Sequence, residues 1–455
     1  MNLFYHYPHV FWNTACLTTK AASLIATEQE EIEMDFSCDD LVFLDDDDEE
    51  EEVKKKASSS NYDKIAIAIG EIQNKGIKIE LPDINASMAE FTPDVTRNTI
   101  MYGLKGVTNV SDELIKVIIE NRPYTSLKDF LLKVKTTKTV VINLIKAGCF
   151  NSIEKDRESL MKKYIREISK PKTTLNLRNF QGLMKYNLIP DELNDCKYAF
   201  TMNKCLKANK LDDYYVITEN LYPYFENAYG SDNLVTYQNK LCILQKVWDK
   251  QIYGYIMDVA RNYIKANLDE LLEKFNNLLF QEEWDKYCLG SLSKWEMDSV
   301  SYYFSGHELE NIDYNLYGIK HFSNLDVEPE PIKFFKHYPI YAITQIAGTV
   351  LGKNKLKSTI TLLDSDGSVV LVKFRKEYFN LYDKQISERQ EDGTKKVIEK
   401  SWFKRGNKLI IAGYRRDNDF IPKTYSSTPF KTLYNIVDIN NTNHQITLRE
   451  ERVGN

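Results

Sequence analysis

The chain has 455 residues, of which 43% are hydrophobic, 28% charged and 12% aromatic, and its formal net charge is −6. That balance excludes a collagen-like or wholly disordered chain, and at roughly 150 residues per domain it leaves room for about three cores. No apolar run approaches the roughly 18 residues of a membrane span, and seven cysteines without a Cys-x-x-Cys pair supply neither a disulfide framework nor a zinc ribbon. A cytoplasmic setting is therefore expected.

The N-terminus, Met1 to Pro8, lacks the basic-then-apolar layout of a signal peptide, and aromatic and apolar residues continue in a short helical rhythm to about Ala26. Between Glu28 and Glu52 lie 15 acidic residues and no Lys or Arg; without them the chain carries +9. Residues 28–60 are expected to be a disordered acidic insertion. The basic remainder points towards nucleic acid.

From 61 to 160 short elements alternate. Ile65 to Gln73 reads as a helix stopped by Gly76. Ser111 reads as the N-cap of a helix with Leu114, Ile115, Ile118 and Ile119 on one face, and Ser126 opens another. A third, with Val140, Leu144 and Ile145, stops at Gly148. Ahead of Ser111 stands Gly103-Leu104-Lys105-Gly106-Val107-Thr108. A tight glycine-containing hairpin before a helix can aim backbone N–H groups at a phosphate, so Lys105, Gly106, Val107 and Thr108 are candidate DNA contacts.

Residues 161–335 read as a mainly helical middle domain. Ile264, Leu268, Leu271, Leu272, Phe275 and Leu279 form the seam of one long amphipathic helix, a core stripe without chemistry. From 336 to 455 the hydrophobic period changes to two, with breaks at Gly348, Gly352, Asp366-Gly367 and Gly406-Asn407. About five short strands are expected. Tyr338 to Asn455 holds 20 Lys and Arg against 13 Asp and Glu, so an OB-like barrel with exposed aromatics is expected to track a nucleic-acid backbone and stack bases. Lys353, Lys355 and Lys357 would share one strand face. Arg375 and Lys376 would end the next strand, and Arg415 and Arg416 follow Gly413-Tyr414. An edge strand guarded by lysines accounts for these cations equally well.

Asp364-Ser365-Asp366-Gly367 reads as hairpin punctuation rather than a metal site. The six histidines have no Cys or acid at ligand spacing, and no P-loop, nucleophile elbow or zincin pattern occurs. The expected class is thus α+β and multi-domain: helical N-terminal and middle parts with a helix-hairpin-helix element, then an all-β barrel.

The order of these pieces resembles the C-terminal half of the bacterial C-family replicative DNA polymerases, the polymerase III alpha subunits. The similar segments are Tyr5-His6-Tyr7-Pro8 with Phe11-Trp12, Leu81-Pro82-Asp83-Ile84-Asn85 with Phe91, Gly103 to Val107, and Leu144 to Asn151. Ser305-Gly306-His307-Glu308-Leu309 and Ile346-Ala347-Gly348-Thr349-Val350 complete the series. The resemblance implies that residues 1–27 end a fingers domain, that 61–160 hold the hairpin region gripping duplex, and that the barrel holds single-stranded template. It places the palm, with its Mg²⁺-binding aspartates, on a separate chain, with no catalytic or metal site on this one. Thr108 stands where the family has a second glycine, which reshapes the hairpin or weakens its DNA contact. Asn276 to Phe280 is the nearest match to the family's sliding-clamp peptide. The other reading is a stand-alone DNA-binding replication accessory factor whose acidic tether mimics DNA.

Overall fold

The computed structural model describes residues 9–19, 64–390, 395–424, 430–440 and 442–452. Tyr5–Pro8 and the acidic insertion expected at 28–60 lie outside the described residues. The chain divides into two compact units, one of residues 1–161 with 290–455, the other of residues 162–289.

In the first unit, helix α1 (9–19) buries Val10, Asn13, Thr14 and Leu17, while Phe11 and Trp12 are about half exposed, at 41% and 50%. Helix α2 (64–74) buries Ile65, Ile69 and Ile72 on one face and stops two residues before Gly76, which takes φ 78°. A small sheet follows, in which β3 (Thr99–Met101) lies between parallel β1 (Lys78–Glu80) and antiparallel β2 (Thr92–Asp94). Ser111 caps α3 (Asp112–Glu120) by accepting from the Leu114 N–H, and Ser126 caps α4 (Leu127–Lys133) by accepting from that of Asp129. Helix α5 (Lys138–Lys146) is buried from Val140 onwards, and α6 (Arg157–Ile168) begins in this unit, whose first part ends at residue 161, and continues into the second.

Residues 161–335 were expected to be mainly helical; the second unit is, but it also holds a small four-stranded sheet. Helices α7 (Phe180–Lys185), α8 (Asn194–Ala208) and α9 (Tyr222–Tyr229) accompany four strands: β4 (Lys210–Leu211), β5 (Tyr214–Val216), β6 (Leu234–Tyr237) and β7 (Lys240–Leu244), ordered β4-β5-β7-β6. The predicted long helix is two, α10 (Gly254–Ala266) and α11 (Leu268–Tyr287), separated at Asn267, whose side-chain amide donates to the Tyr263 carbonyl. The stripe itself holds, since Ile264 and all five residues expected beyond the break pack in one core with Phe180 and Leu183.

Residues 290–335 belong to the first unit rather than to a middle domain. They contain α12 (Leu292–Val300) and lead into a two-stranded hairpin, β8 (Lys333–Phe335) and β9 (Tyr338–Ile340). The barrel comprises β10 (Thr344–Asn354), β11 (Thr359–Leu363), β12 (Val369–Lys373), β15 (Lys408–Arg416) and β16 (Asp419–Pro422) in the order β10-β11-β12-β16-β15, closed by pairing of β10 with β15. The parallel β12–β16 pair within an otherwise antiparallel ring is the arrangement of an OB-like barrel. Helix α13 (Lys376–Asp383) and the β13–β14 hairpin (Ile386–Arg389, Lys395–Glu399) separate β12 from β15, and β17 (Leu433–Ile439) and β18 (Ile446–Arg449) extend the sheet from β15. Alternate residues Ile346 and Val350, Ile360 and Leu362, Val370 and Val372, and Leu409 and Ile411 fill the barrel with Phe420, Phe379, Trp402 and Phe403.

Candidate nucleic-acid interface

The hairpin singled out from the sequence faces inwards. Gly103 approaches the Glu90–Phe91 backbone too closely for any side chain, and a Cβ at Gly106 would overlap the Tyr102 ring. Tyr102 is fully buried, and its hydroxyl donates to the carbonyls of Gly106 (3.1 Å) and Val300 (2.8 Å). The N–H groups of Leu104 and Lys105 donate to Met88 and Ala89, those of Gly106 and Val107 to Gly103 and Leu104, and that of Thr108 to Ser299. The four amides expected to face a phosphate, and that of Leu104 before them, are therefore consumed by the fold. Lys105 lies between Glu90 (3.6 Å) and Asp112 (3.4 Å), and the first turn of α3 carries Asp112 and Glu113, which repel an anion.

Thr108 carries no strain. The left-handed conformation falls one residue later, at Asn109 with φ 64°, and the Thr108 hydroxyl donates to the Asp298 and Ser299 carbonyls of α12. Through these bonds the loop docks on α12.

The next connection, Val134 to Thr137 between α4 and α5, has the opposite character. Val134 is buried, Lys135, Thr137 and Lys138 are exposed, and the first turn of α5 carries no acid. Sequence reasoning missed this loop because it holds no glycine; its signal was Lys135-Thr136-Thr137-Lys138 directly before an apolar helix.

Between the helical region and the barrel lies Ser305-Gly306-His307, and it is a joint. Arg157 pairs with Glu296 at 2.7 Å, with side chains 8% and 0% exposed. Glu296 also accepts the N–H groups of Phe304 and Ser305 and the Ser305 hydroxyl. His307 Nδ1 accepts the Leu309 N–H, so Nε2 carries the proton and donates to the Leu363 carbonyl of β11. Burial lowers the His307 pKa to about 3, so the ring is neutral near pH 7.

On the barrel, β10 ends at Asn354, so Lys353 lies on the strand but Lys355 and Lys357 lie in the turn that follows. Lys353 and Lys355 both pair with Asp383 of α13, at 2.5 and 3.1 Å, while Lys357 and Leu356 are exposed. Strand β12 stops at Lys373, so Arg375 is the N-cap of α13 and Lys376 its first residue, not the end of a strand. Arg415 serves the fold: its guanidinium lies 4.4 Å from the Phe322 ring and donates to the carbonyls of Phe322, Leu325 and Asp417. Arg416 is exposed beside the β15–β16 turn.

In barrels of this order, oligonucleotides are taken up by the second and third strands and by the loops joining strand one to two and four to five. Here those parts are β11, β12 and the turns around Lys355–Ser358 and Asp417–Asn418. Leu371 stands opposite Thr361, with Lys373 exposed on the same face of β12 and paired to Asp419. Neither β11 nor β12 contributes an aromatic ring, contrary to the exposed aromatics expected on the barrel.

The Asp364–Gly367 segment is a turn, closed by the Gly367 N–H on the Asp364 carbonyl with Gly367 at φ 86°. His321 joins it, bringing ligand atoms of His321, Asp364 and Asp366 within 4.8 Å of one another. Asp364 already accepts from the Phe322 N–H (2.8 Å) and pairs with His321 Nδ1 (3.0 Å), while Asp366 accepts from Ser323 and the Ser368 N–H. These contacts satisfy the carboxylates within the fold. Asn276 to Phe280, matched to the clamp peptide, lies in the middle of α11, where Leu279 packs on the core and Phe280 stacks on Trp284. Among the described residues no helix is long and apolar enough to cross a membrane.

Residues 76–160 match the helix-hairpin-helix motif family. Along 99% of its length the chain is 36% identical to a probable DNA polymerase, YorL, of Bacillus subtilis strain 168, and equally to a DNA-directed DNA polymerase of Bacillus phage SPbeta; each match covers 34% of that protein. A 165-residue stretch, 34% of this chain and 14% of the other, is 29% identical to the DNA polymerase III subunit alpha of Buchnera aphidicola. Helix-hairpin-helix region, joint and closed barrel thus occur in one chain whose sequence matches these polymerases. The chain is similar to these DNA polymerases and, over a shorter stretch, to a DNA polymerase III alpha subunit, and it spans about a third of the length of the first two proteins it matches.

Proposed function

We propose that this chain is the DNA-holding portion of a polymerase III alpha-like replicative DNA polymerase. The observation that carries the reading is the 36% identity along 99% of the chain, together with a closed OB-like barrel beside a helix-hairpin-helix region. The barrel takes single-stranded template along β11, β12 and the Lys355–Ser358 turn, with Lys357, Arg375 and Arg416 as backbone contacts. The duplex contact falls on the Val134–Lys138 loop, where exposed cations precede a helix without first-turn acids, rather than on Lys105 to Thr108.

Phosphoryl transfer in such a polymerase needs carboxylates that hold Mg²⁺ at the primer end and the incoming triphosphate. In this reading they come from a palm on a separate chain, and the whole works in the cytoplasm. Primer extension with Mg²⁺ and dNTPs tests it. Extension is expected when the chain is mixed with a palm-bearing chain from the same genome. Extension by this chain alone would overturn the division of labour. Absence of any affinity for DNA would overturn the reading as a whole.

A further inference from the structure

The barrel face expected to stack bases has no ring, and exposed rings stand beside it instead. The β8–β9 hairpin presents Phe334, Phe335 and Tyr338 at 67%, 63% and 75% exposure. An isolated two-stranded hairpin is marginally stable in water, and this one leaves three large rings exposed. Phe335 pairs with Tyr338 across the strands, so both rings emerge on one face, and Phe334 stands on the other. Lys336 and His337 form the two-residue tip, both in the left-handed region, and Lys336 Nζ lies 5.6 Å from the Phe335 ring centre. Residues 332–340 contain Lys333, Lys336 and His337 but no Asp or Glu.

Both roots of the hairpin are fixed at the β15–β16 end of the barrel. The Asp417 N–H donates to the Val327 carbonyl (2.9 Å) on the incoming side, next to Leu325, which is held by Arg415. On the outgoing side Tyr341 stacks on Tyr414 at 4.6 Å. That turn is the strand-four-to-five loop of the barrel, one of the two loops that flank an oligonucleotide in this architecture.

We propose that the β8–β9 hairpin is a base-stacking prong for single-stranded DNA, with Phe335 and Tyr338 as the platform and Lys333 and Lys336 on the flanking phosphates. The proposal rests on the reading that the barrel takes single-stranded template. It assigns the stacking role to a segment outside the barrel strands. Paired rings flanked by cations suit a ligand that is planar and anionic at once; an apolar protein surface would leave both lysines unmatched.

The test uses the full chain, fluorescence anisotropy with a labelled oligo(dT), and a salt titration. Phe335→Ala with Tyr338→Ala is expected to weaken binding by about tenfold or more at fixed salt and to leave the salt dependence unchanged, because stacking releases no counterions. Photo-cross-linking of a 5-iodouracil oligonucleotide to the wild-type chain is expected to mark Phe335 or Tyr338, and this readout does not depend on the variant folding. Unchanged affinity in the variant, with adducts elsewhere, overturns the prong and leaves the barrel reading standing. A wild-type chain without single-strand affinity overturns both. Loss of concentration-dependent self-association in the variant, with DNA affinity intact, reassigns the hairpin to protein docking and overturns the proposal.

Discussion

Two loops of the helix-hairpin-helix region, Gly103–Thr108 and Val134–Thr137, lie about 30 residues apart and share a place ahead of a helix, yet they meet their surroundings in opposite ways. The first turns every N–H from Leu104 to Thr108 towards an internal carbonyl and sets its lysine between two carboxylates. The second leaves Lys135 and Thr137 exposed before a helix with no acid in its first turn. The glycines that make the first loop conspicuous are there for close packing, against the Glu90–Phe91 backbone and the Tyr102 ring. A glycine-rich turn reports that something comes close. Whether that is a phosphate or the protein's own backbone is decided by tertiary neighbours.

The contrast can be broken most forcefully through α12, on which the first loop is docked. Glu296→Gln leaves Arg157 buried without its anion, and a loss of about 3–5 kcal/mol of stability is expected in urea unfolding. A loss below 1 kcal/mol would show that the pair does not hold the joint. Gly106→Ala drives a methyl into the Tyr102 ring and should destabilise by about 1–3 kcal/mol; a neutral effect would mean the loop has room to open outwards.

Acid acts on the same joint with a definite sign. His307 is neutral when folded, with its pKa near 3, whereas the unfolded chain binds the proton at the ordinary histidine value of about 6.5. Stability from this group is present above pH 6.5 and falls as pH drops from there towards 3. By pH 5.5 the cost is about 1 kcal/mol. His307→Gln should flatten that part of the pH profile, and an unchanged slope would place the titration elsewhere. The smallest effect sharpens the comparison directly. Lys135→Ala should lower the slope of log affinity for duplex against log salt by about 0.9, and Lys105→Ala should leave it unaltered. The reverse pattern would restore the first loop as the phosphate contact.

Much of the architecture was legible from local signals. Ser111 and Ser126 cap the helices they precede, because capping depends on residues three apart, and the change of period after Pro339 marks the barrel, because strand alternation is equally local. What escaped was decided at long range or by very short elements. The sheet of the second unit is built from strands of two to five residues, too short for a period to show. Asn267 interrupts a stripe whose hydrophobic spacing continues unbroken across it. Arg415 looked like a DNA contact because its partner, Phe322, lies 93 residues earlier. The three lysines of 353–357 looked equivalent because the end of β10 and the arrival of Asp383 were both invisible.

Strand β15 pairs with β10, β16 and β17, and this sharing has a consequence for synthesis. When the ribosome has released β10, β11 and β12, those strands form a meander with two open edges. The one partner that closes β10 begins at Lys408, 54 residues after β10 ends at Asn354. Until β15 and β16 emerge, both edges are templates for any other strand nearby. The nascent barrel is thus exposed to mispairing for the whole time needed to make α13 and the β13–β14 hairpin. A slowing of translation before β15 and β16 emerge would lengthen that interval, while the same pause once Pro422 has emerged would fall on a ring already complete.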